Sequence, residues 1–197
     1  LRPRVWRRGA ASCPCVPTHT SSGTFSQTMH LYRSSIPYYL AHVVPLVCAL
    51  ELYFALPFAT VAFVFGIIPL LDLMLGNDVA NPTPEEEKEM EKSLYFKAPL
   101  YLWLPCQVGG QAAAAYAACT LPLTSMQLAG LVVGVGIVGG LGINVAHELV
   151  HKLDPVDRFL GKLLLTSVFY GHFAVEHVYG HHKRVATPDD PATSRFG

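Results

Sequence analysis

The sequence predicts an all-α fold, a multi-pass bundle of transmembrane helices, on three observations. Only 14% of the 197 residues are charged and 51% are apolar, where a soluble domain carries roughly a quarter charged. No Asp, Glu, Lys or Arg occurs from Ala98 to His147. From Ser34 to Leu71 there is one, Glu51. A soluble helix of such length needs a polar face, so stretches like these point to a bilayer. The even balance of 14 basic and 14 acidic residues excludes a nucleic-acid binder held by counterion release. Cys48, Cys106 and Cys119 lie inside apolar runs, and the cysteine spacing makes neither a disulfide framework nor a zinc ribbon.

Residues 1–35 carry Arg2, Arg4, Arg7, Arg8 and Arg33 with no acid, and Ser and Thr are frequent. That is the composition of a transit-type or translated leader, without the apolar run of a secretory signal. The folded domain is therefore expected over residues 36–197. Ile36 to Leu75 leaves room for two spans of about 20 residues, broken near Glu51 and Pro57. Glu51 reads as a carboxylate beside the tight turn that such a hairpin places at the far membrane face. Thr83, Pro84 and Glu86 stand as N-cap, first and third helical residues of a surface helix. The acids that follow, Glu85 to Glu91, read as its solvated face, favourable near the positive end of the helix dipole.

A third span is expected over Ala98–Cys119, a turn over Leu121–Ser125, and a fourth span ending near His147. Gly130, Gly134, Gly136, Gly139, Gly140 and Gly142 crowd the fourth, where small residues let helices approach closely in lipid. Four spans return the chain to its starting side. Arg33, Lys152, Arg158, Lys162, Lys183 and Arg184 then share one side, the cytoplasmic face or its organellar equivalent.

Six of the nine histidines fall between His147 and His182. His147 and His151 share a helix face by their spacing of four, and His177 and His181 repeat the arrangement, with His182 turned about 100° further round. Imidazole is a ligand for iron, zinc and copper, and five histidines exceed what one tetrahedral zinc uses. His19, His30 and His42 stand alone and read as packing residues. Phe159 to Ala174 is apolar but too short to cross a bilayer that needs about 20 residues. Crossing would also put the two clusters on opposite faces, so a segment that dips and returns is expected. His147-Glu148-Leu149-Val150-His151 also satisfies HExxH, in which Glu148 serves a zinc protease as general base. His177, His181 and His182 of the second cluster, all within 31 residues of His151, favour two metals instead.

The run HELVHK at His147–Lys152, with YGHFAVEHVYGHHKRVATPDDPATSRFG from Tyr170 onward, resembles the integral-membrane alkane 1-monooxygenases, relatives of the membrane fatty acid desaturases. IPLLDLMLG within Ile67–Gly76 and the NPTPEEE that follows resemble them too. Val150 replaces a Gly usual in that family, and Val178-Tyr179 a more polar pair. The resemblance implies a non-haem di-iron site with His147, His151, His177, His181 and His182 among its ligands. It implies hydroxylation of the terminal carbon of an alkane or similar apolar chain with O2, and rubredoxin with its reductase as electron donor. It further implies a third histidine box and one more histidine beyond Gly197. The 197 residues are thus expected to be the front part of a larger oxygenase and not to hold both irons in active geometry alone.

Carboxylates or rings that orient ligand imidazoles are sought in Glu148, His172, Glu176, Asp189 and Asp190. Gly142, Ile143 and Asn144, just inside the membrane from His147, are candidates to line a channel for the apolar substrate, or to pack helices. Lys152, Lys183 and Arg184 are placed to dock an acidic electron carrier or to anchor the interface. A desaturase or lipid hydroxylase with the same metals is the nearest alternative. An intramembrane HExxH zinc protease is another, and a non-catalytic membrane relic a third.

Overall fold

A computed structural model describes residues 36–76, 82–190 and 192; the expected leader lies outside them. Secondary structure among the described residues is entirely helical. The first apolar stretch forms α1 (Ile36–Leu40) and α2 (Val43–Tyr53). A turn over 54–58 then leads into α3 (Ala59–Ala62), a π-helical segment (Phe63–Ile67) and α4 (Ile68–Leu75). Pro69 offers no N–H to the turn before it, and the ladder widens there into the π form.

The hairpin turn falls where the sequence put it, and Glu51 organises it. Its carboxylate is 3% exposed. Oε1 accepts from the Phe58 N–H at 3.0 Å and Oε2 from the Thr60 N–H at 2.8 Å. These bonds cap the free N–H groups at the start of α3 and hold Phe58 at a positive φ of 66°, a conformation disfavoured for a bulky side chain.

The surface helix is α5 (Pro84–Lys92), with both arms of its capping box formed. The Thr83 N–H donates to Glu86 Oε2 at 2.8 Å, and the Glu86 N–H to Thr83 Oγ1 at 3.3 Å. Two 27-residue helices follow, α6 (Leu94–Thr120) and α7 (Ser125–His151). Thr124 and Gln127 make a second capping box at the start of α7. Among the described residues α7 is the one helix long and apolar enough to cross a membrane; 38–53 and 59–75 are shorter apolar helices. Large apolar side chains lie exposed over much of the surface, among them Leu73 at 82%, Tyr116 at 70% and Val132 at 64%. Water does not favour such a surface, whereas lipid does.

The core lies where α7 meets α2, α6 and α8 (Pro155–Ser167). Glycines on α7 set the close approaches. A Cβ at Gly130 would meet the Phe58 backbone nitrogen at 2.7 Å and Glu51 Oε1 at 2.9 Å. One at Gly142 would overlap the Gln107 side chain. Gln107, 1% exposed, accepts from Trp103 Nε1 at 3.0 Å and donates to Ser167 Oγ at 2.7 Å, tying α6 to the end of α8. Gly142 is thus a packing residue; neither it nor Ile143 nor Asn144 lines either of the two large cavities among the described residues.

Candidate metal centre

The last turn of α7 carries His147 and His151, whose Nε2 atoms lie 3.0 Å apart. Three residues then reverse the chain. Asp154 caps α8 by accepting from the Val156 N–H at 2.8 Å, and Pro155 begins the helix. The descent of α8 beside α7 is fixed at two points. Asp157, 1% exposed, binds Lys97 Nζ at 2.8 Å and accepts the Tyr101 hydroxyl, pinning α8 to α6. Gly161 fits against Val150, Leu149 and the Ala146 carbonyl of α7. Burial alone would raise the Asp157 carboxyl, but the hydrogen bonds from Lys97 and Tyr101 outweigh it and hold the group below its ordinary value.

Val168 reaches the level of Gly139, eight residues and about 12 Å down α7 from His147. The chain then turns back. The Tyr170 N–H bonds the Leu165 carbonyl at 2.8 Å and the Phe169 N–H the Thr166 carbonyl at 3.0 Å. With Phe169 at a φ of 59°, this is the Schellman closure, made without glycine. The dip and return expected from the short apolar segment is what the chain does over these residues.

The return is a stack of rings. Tyr170 stacks on Phe173 at 5.2 Å, Phe173 on His177 at 4.7 Å and His177 on His181 at 5.5 Å. Phe173 also sets its edge against His147 at 5.8 Å. α9 (Phe173–Val175) gives way to a π-helical segment, Glu176–His181, and then α10 (His182–Arg184). The π form changes which histidines meet, because its repeat runs to the fifth residue. His177 and His182 bring their Nε2 atoms to 3.0 Å. His181, four residues on, stacks its ring on His177 as the spacing of four predicts, while the four ligand atoms that converge are those of His147, His151, His177 and His182.

His177 Nε2 lies 2.6 Å from His147 Nε2 and 3.1 Å from His151 Nε2. The ligand atoms of His147, His151, His177 and His182 all fall within 4.8 Å of one another. Burial and the four surrounding imidazoles push His177 down to about 4, so near neutral pH this ring offers a lone pair and not a charge. Four convergent imidazole nitrogens suit a transition-metal cation.

The fifth histidine stands beside this group. His181 Nδ1 is 2.9 Å from both oxygens of Asp190, whose side chain is fully buried. Asp190 is therefore the sequence candidate that does orient an imidazole. The remaining carboxylates turn elsewhere. Glu148 pairs with Lys152 at 2.7 Å, Asp189 is exposed, and Glu176, 67% exposed, lies 3.9 Å from His172. His172 sets its edge on Tyr170 and is likewise exposed. Sequence reasoning missed Phe173, Lys97, Tyr101 and Asp157. For Lys97 a signal existed: it is the last charge before fifty uncharged residues, and a cation there requires a partner.

The family model for fatty acid desaturases matches residues 123–197. An alkane 1-monooxygenase of Ectopseudomonas oleovorans is 43% identical over 133 residues, 68% of this chain and 33% of that protein. Alkane 1-monooxygenase 1 of Alcanivorax borkumensis matches to the same extent. An alkane 1-monooxygenase of Acinetobacter baylyi is 40% identical over 131 residues, 66% of this chain and 32% of its own length. The chain thus spans about a third of the length of these curated relatives.

Proposed function

From a chain that belongs to the alkane 1-monooxygenase family, we infer that these residues form the membrane-embedded, histidine-bearing part of a non-haem di-iron hydroxylase acting on the terminal carbon of an alkane or similar apolar chain. The observation that carries the reading is the convergence of four imidazole nitrogens within 4.8 Å at the end of α7, a helix apolar and long enough to cross a bilayer. Iron bound here supplies O2 activation, which no side chain provides against an unactivated C–H bond.

The protein's own groups have separate tasks. His147, His151, His177 and His182 hold one metal. His181, oriented by Asp190, serves the second. Phe173, backed by Tyr170, packs against the His147 and His177 rings and excludes water from one side. The helices α1 to α4, α6 and α7 make up the four spans, which put both histidine boxes on the cytoplasmic or equivalent face. Electrons come from a rubredoxin-type carrier, which Lys152, Lys183 and Arg184 are placed to meet.

The family-model match keeps desaturation as the second reading, since it uses the same metal chemistry. Proteolysis is disfavoured: a general base must face the metal-bound water, and Glu148 is engaged with Lys152. The test is product analysis on a full-length protein carrying these residues, in membranes, given n-octane, isotopically labelled O2 and a rubredoxin system. 1-Octanol carrying the label, lost in His147→Ala, is the expected result. An internal double bond would transfer the assignment to desaturation. Tight zinc binding with no oxidised product would overturn both.

A further inference from the structure

One side of α8 is buried against α6 and α7 through Asp157, Gly161, Leu164 and Leu165. Its other side carries Arg158 and Lys162, which at a spacing of four are neighbours on the helix surface. Neither makes an ion pair among the described residues. The acids of α8 are engaged elsewhere: Asp157 binds Lys97 and Tyr101, while Asp154 caps the helix at Val156 and lies 4.0 Å from Lys97. Arg158 gives one N–H to the Tyr179 hydroxyl at 2.8 Å, which leaves most of its planar fork of donors. Two such cations beside a bilayer call for an anion.

Depth along α8 sorts this outer face by polarity. Gly161 sits against Ala146, Leu149 and Val150 of α7, so Lys162 lies at the level of the first histidine pair. Arg158 is one turn, about 6 Å, nearer the aqueous end. Below Lys162 the face is apolar: Leu163 is exposed, and Phe169, just past Val168 at the foot of the helix, is 95% exposed. From Lys162 to Val168 the helix descends about 9 Å. Uncompensated cations above an apolar strip match a molecule with an anionic head and an aliphatic tail.

We propose that the outer face of α8 binds one anionic phospholipid from the leaflet on the histidine side, its phosphate held between Arg158 and Lys162 and an acyl chain descending past Leu163 to Phe169. A guanidinium and an ammonium one turn apart suit a phosphate, and basic sites at the membrane surface take anionic head groups. A phosphatidylcholine head brings its own quaternary ammonium, which the same two cations repel. An acidic soluble protein would meet the charges but leave Leu163 and Phe169 uncovered. The inference rests on the proposed membrane setting of α7 and α8, and on no step of the hydroxylation.

The test places the 197-residue chain in phosphatidylcholine nanodiscs with a trace of phosphatidylglycerol carrying a photoreactive diazirine in one acyl chain, or of phosphatidylcholine carrying the same group. On illumination phosphatidylglycerol is expected to label the chain about tenfold more than phosphatidylcholine, with the adducts on residues 159–170. Arg158→Gln with Lys162→Gln should bring the two lipids level. Lys88→Gln with Lys92→Gln, which removes two exposed lysines at the same spacing from α5, should leave the preference intact. Equal labelling of the unaltered chain, adducts that avoid residues 159–170, or an equal loss in the α5 variant overturns the proposal. Should the first variant fail to fold, the map of adducts on the unaltered chain decides. A chain that stays out of the nanodiscs overturns the membrane setting and the proposal together, whereas one that enters and shows no preference overturns the proposal alone.

Discussion

His147 Nε2 and His177 Nε2 lie 2.6 Å apart although 30 residues separate them. Everything between them, the reversal at Asp154, the descent of α8 and the Schellman turn at Phe169, serves to bring those two nitrogens together. The proposed metal reading therefore depends on α8 as much as on the histidines.

Cobalt(II) titrated into the chain should report four imidazole ligands by its visible spectrum. His177→Ala is expected to weaken binding by more than about 100-fold, beyond what losing a supporting partner costs. His181→Ala should weaken this first site less, because His181 is held by Asp190 outside the cluster. Equal losses in the two variants would mean that the cluster includes all five histidines.

Acid should loosen the site before it titrates the carboxylates. His177 sits at about 4 when folded, below the 6.5 of a free imidazole. Between those values the unfolded chain binds a proton that the folded chain refuses, so stability falls as pH drops through that window. The depressed Asp157 acts in the same direction but lower, with its contribution lost only below the ordinary carboxylate value of 3.8. Thermal unfolding of the metal-free chain from pH 7.5 to 4.5 should show a falling midpoint, and His177→Phe should flatten that fall.

Asp157→Ala removes one partner of a buried ion pair and leaves Lys97 uncompensated. The expected cost is near the lower end of about 3–5 kcal/mol, since the Lys97 side chain keeps 19% exposure and has Asp154 at 4.0 Å. Because this pair pins α8 to α6, cobalt binding should weaken along with unfolding stability. Urea unfolding and metal titration on the same preparation measure both.

Two glycines on α7 should respond in opposite ways. Gly130→Ala places a methyl at 2.7 Å from the Phe58 nitrogen and 2.9 Å from the Glu51 carboxylate, and should destabilise by about 1–3 kcal/mol. At Gly136 nothing lies within 4 Å. There Ala should stabilise by about 0.5–1 kcal/mol through the lost backbone freedom of glycine. The sign of the difference, read from unfolding midpoints, is the test.

Much of this protein was legible before any coordinates. The charge-free runs predicted helices, and the capping residues Thr83 and Glu86 predicted where α5 begins. The spacing of His147 and His151 placed two imidazoles on one face. These features are local, set by neighbours within about one helical turn, and local rules read them.

What the tertiary structure decided involves partners far apart in the chain. That Glu51 is a buried cap for α3, that Asp157 binds Lys97 across 60 residues, and that Gly142 seats Gln107 are outcomes of packing. That His182 brings its Nε2 to 3.0 Å from that of His177, five residues before it, follows from a widened helical turn whose register a 3.6-residue repeat does not anticipate. The amino-acid sequence by itself determined that the chain is helical and apolar enough for lipid, and that His147 and His151 share one helix face. Only the folded chain decided which nitrogens meet, because that depends on how far α8 descends and how tightly the returning segment is wound.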